Sequence, residues 1–256
     1  MTGNQKQHID LVIENYGNVK DVEYAYAVLP WGATEPHNYH LPYMTDCYLA
    51  HDIAVDAVGK AWSTYNIRGM VLPPIPLGAQ NPGQRELPFC IHARYETQKL
   101  VLNDIVDSLS FQGIRILVIM NGHGGNYFKS MIRDMTIDYP EMLIVNCDWF
   151  AIEPREGYFD EKFDDHAGEQ ETCVMMHYHP ELVDLSTAGN GESKPFNIES
   201  LNKKIGWIPR DWSKISTDTG VGNPKKSTAG KGAKYINIVT DKIAILFNEL
   251  VNKSPY

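Results

Sequence analysis

Four short apolar runs, each bounded by turn-forming residues, limit the folds open to this chain. They cover 24–29, 70–77, 114–120 and 142–147, and prolines interrupt the second of them. A continuous apolar run of this length is typical of a strand buried on both faces, as in the interior of a parallel sheet. The runs therefore predict buried strands, with 70–77 passing from a strand into a loop.

Helix-like segments separate these runs. Apolar residues recur at helical spacing in 47–65, 95–112, 127–139 and 235–251. A strand, a helix and a second strand with short joints form the βαβ unit, whose two strands are parallel. The order predicts an α/β fold. Because 256 residues without a Pro-, Gly- or Ser-rich linker suit one large core, we expect one domain over residues 1–256.

Charge and composition exclude several classes of protein. The net charge is −9 at pH 7 and the basic residues form no stripe, so we expect no nucleic-acid partner and no anionic membrane partner. The first ten residues are polar, and no apolar run approaches the roughly 18 residues of a membrane span. The four cysteines stand singly, which argues against a thiolate zinc site. We expect a soluble, cytoplasmic protein.

The segment after the first apolar run carries candidate metal ligands. Glu35 and His37 are two residues apart in a stretch that prolines keep out of a helix, so their side chains project to the same side. Asp46 returns from the far end of the same loop. Carboxylate and imidazole are ligands of divalent transition metals. Two plainer interpretations remain: solvated loop residues, and Asp46 as the N-cap of the helix over 47–65.

A glycine-rich loop, 121–126, follows the apolar run 114–120. The carboxyl ends of parallel strands are where ligands bind, which makes His123 a candidate ligand. The N–H groups of Gly124 and Gly125 are candidates for binding substrate, since they could hold an oxyanion. A phosphate-binding loop is the rival interpretation, but the G-K-[ST] sequence of such a loop is missing.

The segment His166-Ala-Gly-Glu-Gln-Glu-Thr172 opens a further helix, for which two starting points are open. A helix beginning at His166 would place Glu169 on the same face and turn Glu171 away. A helix beginning after Gly168 would leave His166 in a loop and put Glu171 in the first turn. In either case Glu169 is interpreted as an exposed acid that interacts favourably with the helix dipole.

Three of these segments resemble, in the same order, the motifs of the creatininase family. Residues 32–46 resemble G-[ST]-x-E-x-H-G-x-H-L-P-x-x-T-D, 121–126 resemble N-G-H-x-x-N, and 166–172 resemble H-A-G-x-x-E-T. A weaker match covers 220–232. The resemblance spans 29–232 and implies a three-layer α/β/α sandwich with a mostly parallel central sheet. It also favours the helix start after Gly168.

The resemblance further implies a centre of two divalent metal ions, either zinc, manganese or iron. Asp46 would bridge the ions, Glu35 and His123 would hold one of them, and His37 the other. Other members of the family complete the second site with a glutamate at the place of Gly125. We expect Glu171 to replace it, because Glu171 is the remaining carboxylate of the motifs.

The implied reaction is hydrolysis of a carbon–nitrogen bond. Two ions about 3.5–4 Å apart can activate a water molecule and polarise a carbonyl group. His166 would carry the proton to the leaving nitrogen, with Glu171 beside it, and the Gly124 and Gly125 amides would stabilise the oxyanion. The family's loop at the substrate mouth differs here over 79–90, so creatinine itself is not the expected substrate.

We therefore expect a metal-dependent amidohydrolase acting on a non-peptide bond in a small cyclic or formylated amide. A family peptidase or deformylase, acting on a modified peptide or a pyrimidine, is the first alternative. A metal-stabilised binding or regulatory protein without activity is the second. The family is commonly oligomeric, often hexameric, which implies a homo-oligomer with 184–216 as the candidate contact.

Overall fold

A parallel sheet lies at the centre of the computed structural model, which describes residues 8–256. Its strands in that part of the chain are β1 (Tyr26–Trp31), β2 (Gly69–Val71), β3 (Ile116–Asn121) and β4 (Leu143–Asp148), in the order β2-β1-β3-β4. All three pairings are parallel, with Ala27 opposite Leu117 and Val118 opposite Val145. Each strand overlaps one of the four apolar runs.

The sheet is covered by helices of very different length. Within residues 8–256 the α-helices are α1 (Tyr16–Val19), α2 (Thr45–Tyr65), α3 (Tyr95–Phe111), α4 (Phe128–Asp138), α5 (Glu169–Tyr178), α6 (Glu199–Asn202), α7 (Trp212–Ile215) and α8 (Ala229–Asn252). Short 3-10 turns occur at Trp149–Ala151, Pro180–Leu182, Leu185–Thr187 and Pro224–Lys226.

Side chains that alternate along the strands enter two separate cores. One core contains Val28 and Val118 and includes residues of α2, α5 and α8. The other contains Leu29 and Ile119 and includes residues of α3 and α4. Because successive side chains of a strand point to opposite faces, the two cores lie on opposite sides of the sheet. The predicted three-layer α/β/α sandwich is confirmed.

Helix α8 packs closely on α5 at Gly232. A β-carbon built on this glycine would lie 2.0 Å from the carbonyl oxygen of Cys173 in α5. The two backbones therefore meet at a distance that only glycine allows. This contact fixes the start of α5, from which one of the candidate ligands projects.

The helix start after Gly168 is the one observed, so His166 lies in the preceding loop and Glu171 in the first turn of α5. The exposed interpretation of Glu169 is wrong. Its side chain is fully buried, accepts hydrogen bonds from the backbone N–H groups of Asp160 and Glu161, and pairs with Lys231. Buried backbone donors need acceptors, and this carboxylate supplies them for the loop before α5.

The capping interpretation of Asp46 is also wrong. Helix α2 begins at Thr45, its N-cap position is Met44, and Asp46 lies in the first turn. Its carboxylate is directed toward imidazoles of the neighbouring loops. Among residues 8–256, no helix combines the length and apolar character needed to cross a bilayer.

Candidate metal centre

The candidate ligands come from the carboxyl-terminal edge of the sheet. Trp31 at the end of β1 is opposite Asn121 at the end of β3, so the loops that follow both strands start side by side. The first loop and the start of α2 carry Glu35, His37 and Asp46, and the second carries His123. Because α5 starts beside them, the structure also brings His166 and Glu171 to this edge.

Among residues 8–256, three groups of side chains could each hold a metal ion, and two of these groups share the carboxylate of Asp46. Within each group the potential ligand atoms lie within 4.8 Å of one another. The first group is Glu35, Asp46 and His123, and the second is His37, Asp46 and Glu171. The family resemblance implies the same two groups, and the assignment of Glu171 to the second site stays a prediction.

Distances within the groups separate the two oxygens of Asp46. Its Oδ2 lies 3.2 Å from His123 Nδ1, whereas its Oδ1 lies 3.0 Å from His37 Nε2. Glu35 Oε1 lies 2.9 Å from the same nitrogen of His123. One oxygen of Asp46 thus faces each group, which is the geometry that a bridging carboxylate requires.

Three imidazoles are oriented by backbone carbonyl groups. A carbonyl oxygen only accepts, so the ring nitrogen beside it carries the proton and donates. The second nitrogen of each ring then faces the carboxylates, as is usual for histidines that bind metal. The pairs are His37 Nδ1 with Glu35 O, His123 Nε2 with Ala79 O, and His166 Nε2 with Pro36 O, at 3.1, 2.9 and 2.9 Å.

With the proton of a neutral His123 on Nε2, two buried carboxylate oxygens have no hydrogen-bond donor within residues 8–256. They are Glu35 Oε1 and Asp46 Oδ2, the two atoms that face His123. Leaving a buried charged oxygen without a partner is costly, whereas a divalent cation between them would satisfy both. The residues present therefore fit a metal ion on an observation independent of the sequence motifs.

The electrostatics of the centre favour cations. Burial alone would lower the pKa of His37, but the carboxylate of Asp46 beside it raises that pKa to about 10. The pKa of His123 is likewise raised, against the effect of burial, by Glu35 and Asp46. Protons and divalent cations therefore compete for the same nitrogens.

The pKa values of His166 and Glu171 are shifted differently from those of His37 and His123. Burial lowers the pKa of His166 and keeps its imidazole neutral, and burial raises the pKa of Glu171 to about 8. The backbone N–H of Ala167 donates to Glu171 at 2.5 Å. The Nδ1 atom of His166 lies 3.7 Å from Glu35 Oε1, so it borders the centre, and it could also act as a ligand with Glu35 and His37.

Gly125 approaches its neighbours more closely than any side chain would permit. A β-carbon at this position would lie 2.1 Å from Ala79 O and 2.5 Å from His123 Nε2. Gly124 has open space around it. Both glycines line the cavity that opens over the centre, while the predicted binding of an oxyanion by their amides stays a prediction.

The cavity over the centre has a volume of about 780 Å³. Its walls include side chains that the sequence analysis did not single out as site residues: Gln84, Trp207, Arg210 and Trp212. Gln84 donates from Nε2 to Glu35 Oε2 at 2.7 Å. Gln84 belongs to the loop 79–90, which the family resemblance places at the substrate mouth, and the other three belong to the irregular segment 184–216.

Comparison with known proteins agrees with this geometry. The sequence model of the creatininase family, described as creatinine amidohydrolase, matches residues 15–247. The chain belongs to the creatininase family. Membership confirms the predicted fold and the predicted enzyme class, a hydrolase that acts on carbon–nitrogen bonds. The individual roles of the site residues stay predictions.

Three relatives illustrate the range of the creatininase family around this chain. A crystal structure described as "Putative creatinine amidohydrolase" from Bacteroides fragilis NCTC 9343 is 57% identical, with a TM-score of 0.96 and coverage of 98% of this chain and 99% of that one. A "Mycofactocin precursor peptide peptidase" from Mycobacterium ulcerans (strain Agy99) is 29% identical over 227 residues, which are 84% of this chain and 81% of the relative. A structure described as "Creatininase Mn" shares the fold at 18% identity and a TM-score of 0.77, covering 95% and 99% of the chains.

Proposed function

We propose that this member of the creatininase family is a metal-dependent amidohydrolase with a centre for two divalent cations. The observation that carries the proposal is the position of Asp46, whose two oxygens face two different groups of candidate ligands. Mixed oxygen and nitrogen ligands accept zinc, manganese or iron. The description of one relative as a manganese form supports manganese as a candidate.

Side chains of the protein would divide the hydrolytic work around these cations. When bound, two cations would supply an electrophile for the carbonyl oxygen and a water molecule of lowered pKa. His166 is neutral at neutral pH and borders both the centre and the cavity. It can therefore accept a proton from the attacking water and return it to the leaving nitrogen.

Neighbouring residues would support this transfer. The indole of Trp212 meets the ring of His166 edge-on, with 5.4 Å between the ring centroids, and limits the motion of the imidazole. The open space beside Gly124 would admit a carbonyl oxygen to the backbone N–H groups of the loop, where they can stabilise an oxyanion. The substrate proposed first is a small cyclic or formylated amide.

The cavity favours a second candidate substrate, the end of a modified peptide. A volume of about 780 Å³ lies within the range of sites for drug-sized ligands and far exceeds the needs of a single five-membered ring. Peptide substrates are named for the Mycobacterium ulcerans relative. Turnover of creatinine, an N-formyl amide and an N-formyl peptide, compared on one metal-loaded preparation, would rank these substrates.

Metal content tests the two-cation centre. The full chain, equilibrated with manganese or zinc and then dialysed, should retain about two ions, and Glu171→Gln should retain about one because it removes a ligand of the second site. Glu169→Gln makes the same chemical change two residues earlier in α5 and should leave the metal content unchanged. Retention of one ion or none by the unchanged protein would instead support the metal-stabilised protein without activity.

His166→Ala tests the assignment of the proton carrier. Hydrolysis should fall by a factor of about 100 or more while metal content stays constant, because the variant lacks the group that moves the proton. A loss of metal in this variant would assign His166 to the ligands, together with Glu35 and His37.

A further inference from the structure

A permanent positive charge stands on the cavity wall beyond His166. Among the described residues that line the cavity, Arg210 is the single lysine or arginine. Its guanidinium lies over the ring of Trp212, with 4.9 Å from its central carbon to the ring centroid. The His166 imidazole also contacts Trp212, with 5.4 Å between the ring centroids. Trp212 thus contacts both the proton-carrying side chain and the cation.

The cation is only loosely neutralised. Arg210 pairs with Asp165 through one nitrogen, at 2.5 Å, and both side chains are partly exposed, at 33% and 48%. An ion pair in contact with solvent contributes little, so a competing anion can replace Asp165 at small cost. A guanidinium has five N–H donors in a planar fork, and this fork suits an oxyanion with two oxygens.

The position of the cation is unusual for a chain of this charge. The net charge is −9, and Glu35 and Asp165 add carboxylates to the cavity lining. Because Arg210 is held against an indole and is the single lysine or arginine among the described lining residues, it provides a specific place for one negative group. The separations of 5.4 and 4.9 Å limit the distance from the His166 ring centroid to the central guanidinium carbon of Arg210 to about 10 Å at most.

From this arrangement we infer that Arg210 binds an oxyanion of the substrate, a carboxylate or a phosphate, located within about three residues of extended chain from the amide that is hydrolysed. The inference rests on the proposed function, because it takes the reacting amide to lie between the metal centre and His166. It assigns Arg210 to substrate recognition, with Trp212 as the residue that positions it.

Binding measurements can test this without turnover. The probes are N-acetylglycylglycine, its neutral carboxamide, and the analogue that carries a phosphonate in place of the carboxylate, each titrated calorimetrically into metal-loaded full-length protein. The unchanged protein should bind the carboxylate or the phosphonate about tenfold or more tightly than the carboxamide. The tighter of the two anions identifies the source of the oxyanion.

Three variants separate recognition from a structural role. Arg210→Gln should reduce the preference for the anion to within about twofold while binding of the carboxamide is unchanged. Asp165→Asn should strengthen binding of the anion by about two- to fivefold, because the competing carboxylate is gone. Lys214→Gln removes a charge from the same segment outside the cavity, and it should keep the preference of the unchanged protein.

Several results would overturn the inference. An equal preference for the anion in Arg210→Gln would mean that the metal ions bind the carboxylate, and equal losses for all three probes would mean that Arg210 only supports the wall. A failure of the proposed function would give a different experimental result. In that case the metal-loaded protein hydrolyses no amide, although the dependence of anion binding on Arg210 persists.

Discussion

The side-chain amide of Gln84 holds Glu35 from outside the centre. Gln84 is buried, donates to Glu35 Oε2 at 2.7 Å, and accepts from the backbone N–H of Asn81 at 2.6 Å. This leaves Glu35 Oε1 to face the candidate cation. Outer partners of this kind orient metal ligands and affect metal affinity nearly as strongly as the ligands do.

We therefore expect Gln84→Leu to weaken metal binding by about 10- to 100-fold. The leucine keeps the volume of the side chain but leaves Glu35 free to rotate. Competition with a metal-sensitive dye would measure the change. Gln80→Leu, in the same loop, is the control and should bind metal normally. The backbone N–H of Gln80 donates to His92 Nδ1 and its side-chain Nε2 donates to Ile91 O. Equal weakening in both variants would argue for a general loosening of the loop.

His40 links stability to pH. Its side chain is 3% exposed, its Nε2 contacts Thr172 Oγ1 at 2.8 Å, and burial, followed by the nearby His37, lowers its pKa to about 4. An imidazole in the unfolded chain has a pKa near 6.5. Between these two values the unfolded state binds the extra proton, so stability is present above pH 6.5 and is lost as the pH falls toward 4.

Replacement of His40 by glutamine should remove this part of the acid sensitivity. Between pH 7.5 and pH 5 the free energy of unfolding should fall by about 2 kcal/mol more in the unchanged protein than in His40→Gln. Urea unfolding of both proteins in the presence of a chelator measures the difference, since loss of metal then contributes to neither. Parallel pH profiles would show that His40 is protonated in the folded protein.

Some site residues could be predicted from the sequence and others could not. Glu35 and His37 were predicted from their spacing, because two residues of extended chain place side chains on one side. The interpretations of Asp46 as a helix cap and of Glu169 as an exposed acid failed for a common reason. Both used local helix rules, while the actual partners lie outside the helix that carries each carboxylate. Gln84 and Arg210 escaped prediction because only long-range packing brings them to the centre.

Among the elements, α5 and α8 depend on one another at Gly232. The close approach to Cys173 O explains a glycine inside a long helix, where it otherwise costs about 1 kcal/mol relative to alanine. Gly230 lies two residues earlier in α8, is exposed, and has open space around it. The two glycines form a matched pair in the same helix.

Gly232→Ala should lower the free energy of unfolding by about 1–3 kcal/mol, because a backbone atom of α5 must move. Gly230→Ala should leave it unchanged or raise it by up to about 1 kcal/mol through helix propensity. Chemical denaturation of both variants measures the two effects. Stabilisation by both substitutions would mean that α8 moves away from α5 at no cost.

The strands and long helices were predicted from the sequence because each carries a continuous run or stripe of apolar residues. The start of α3 at Tyr95 was predicted to the residue, and β3 (Ile116–Asn121) lies one or two residues from its apolar run. Strand β2 is shorter than the run 70–77 indicated. Pro73, Pro74 and Pro76 lack N–H donors, so the regular strand ends at Val71 and Ile75 forms only an isolated bridge to Trp31 of β1.

For the whole molecule, segment 184–216 is the candidate contact between subunits. It exposes Ile198 and Ile205, at 61% and 77%, and neither side chain lines the cavity. We propose a homo-oligomer in which such apolar side chains are covered. Ile205→Ser should then shift the assembly toward smaller species in light scattering.

Ile137→Ser provides the matched control, because Ile137 in α4 is equally exposed, at 79%, outside this segment. It should leave the molar mass unchanged. A monomeric unchanged protein, or equal dissociation by both substitutions, would contradict the assignment of the contact to 184–216.

The absence of a side chain at Gly125 limits which substitutions the centre can accept. A carboxylate cannot be introduced there while Ala79 O and the His123 ring occupy the space that its β-carbon would need. A glutamate from the loop and a glutamate from α5 are thus alternatives that demand different backbones. Gly125→Glu alone should therefore distort this loop rather than convert one kind of centre into the other.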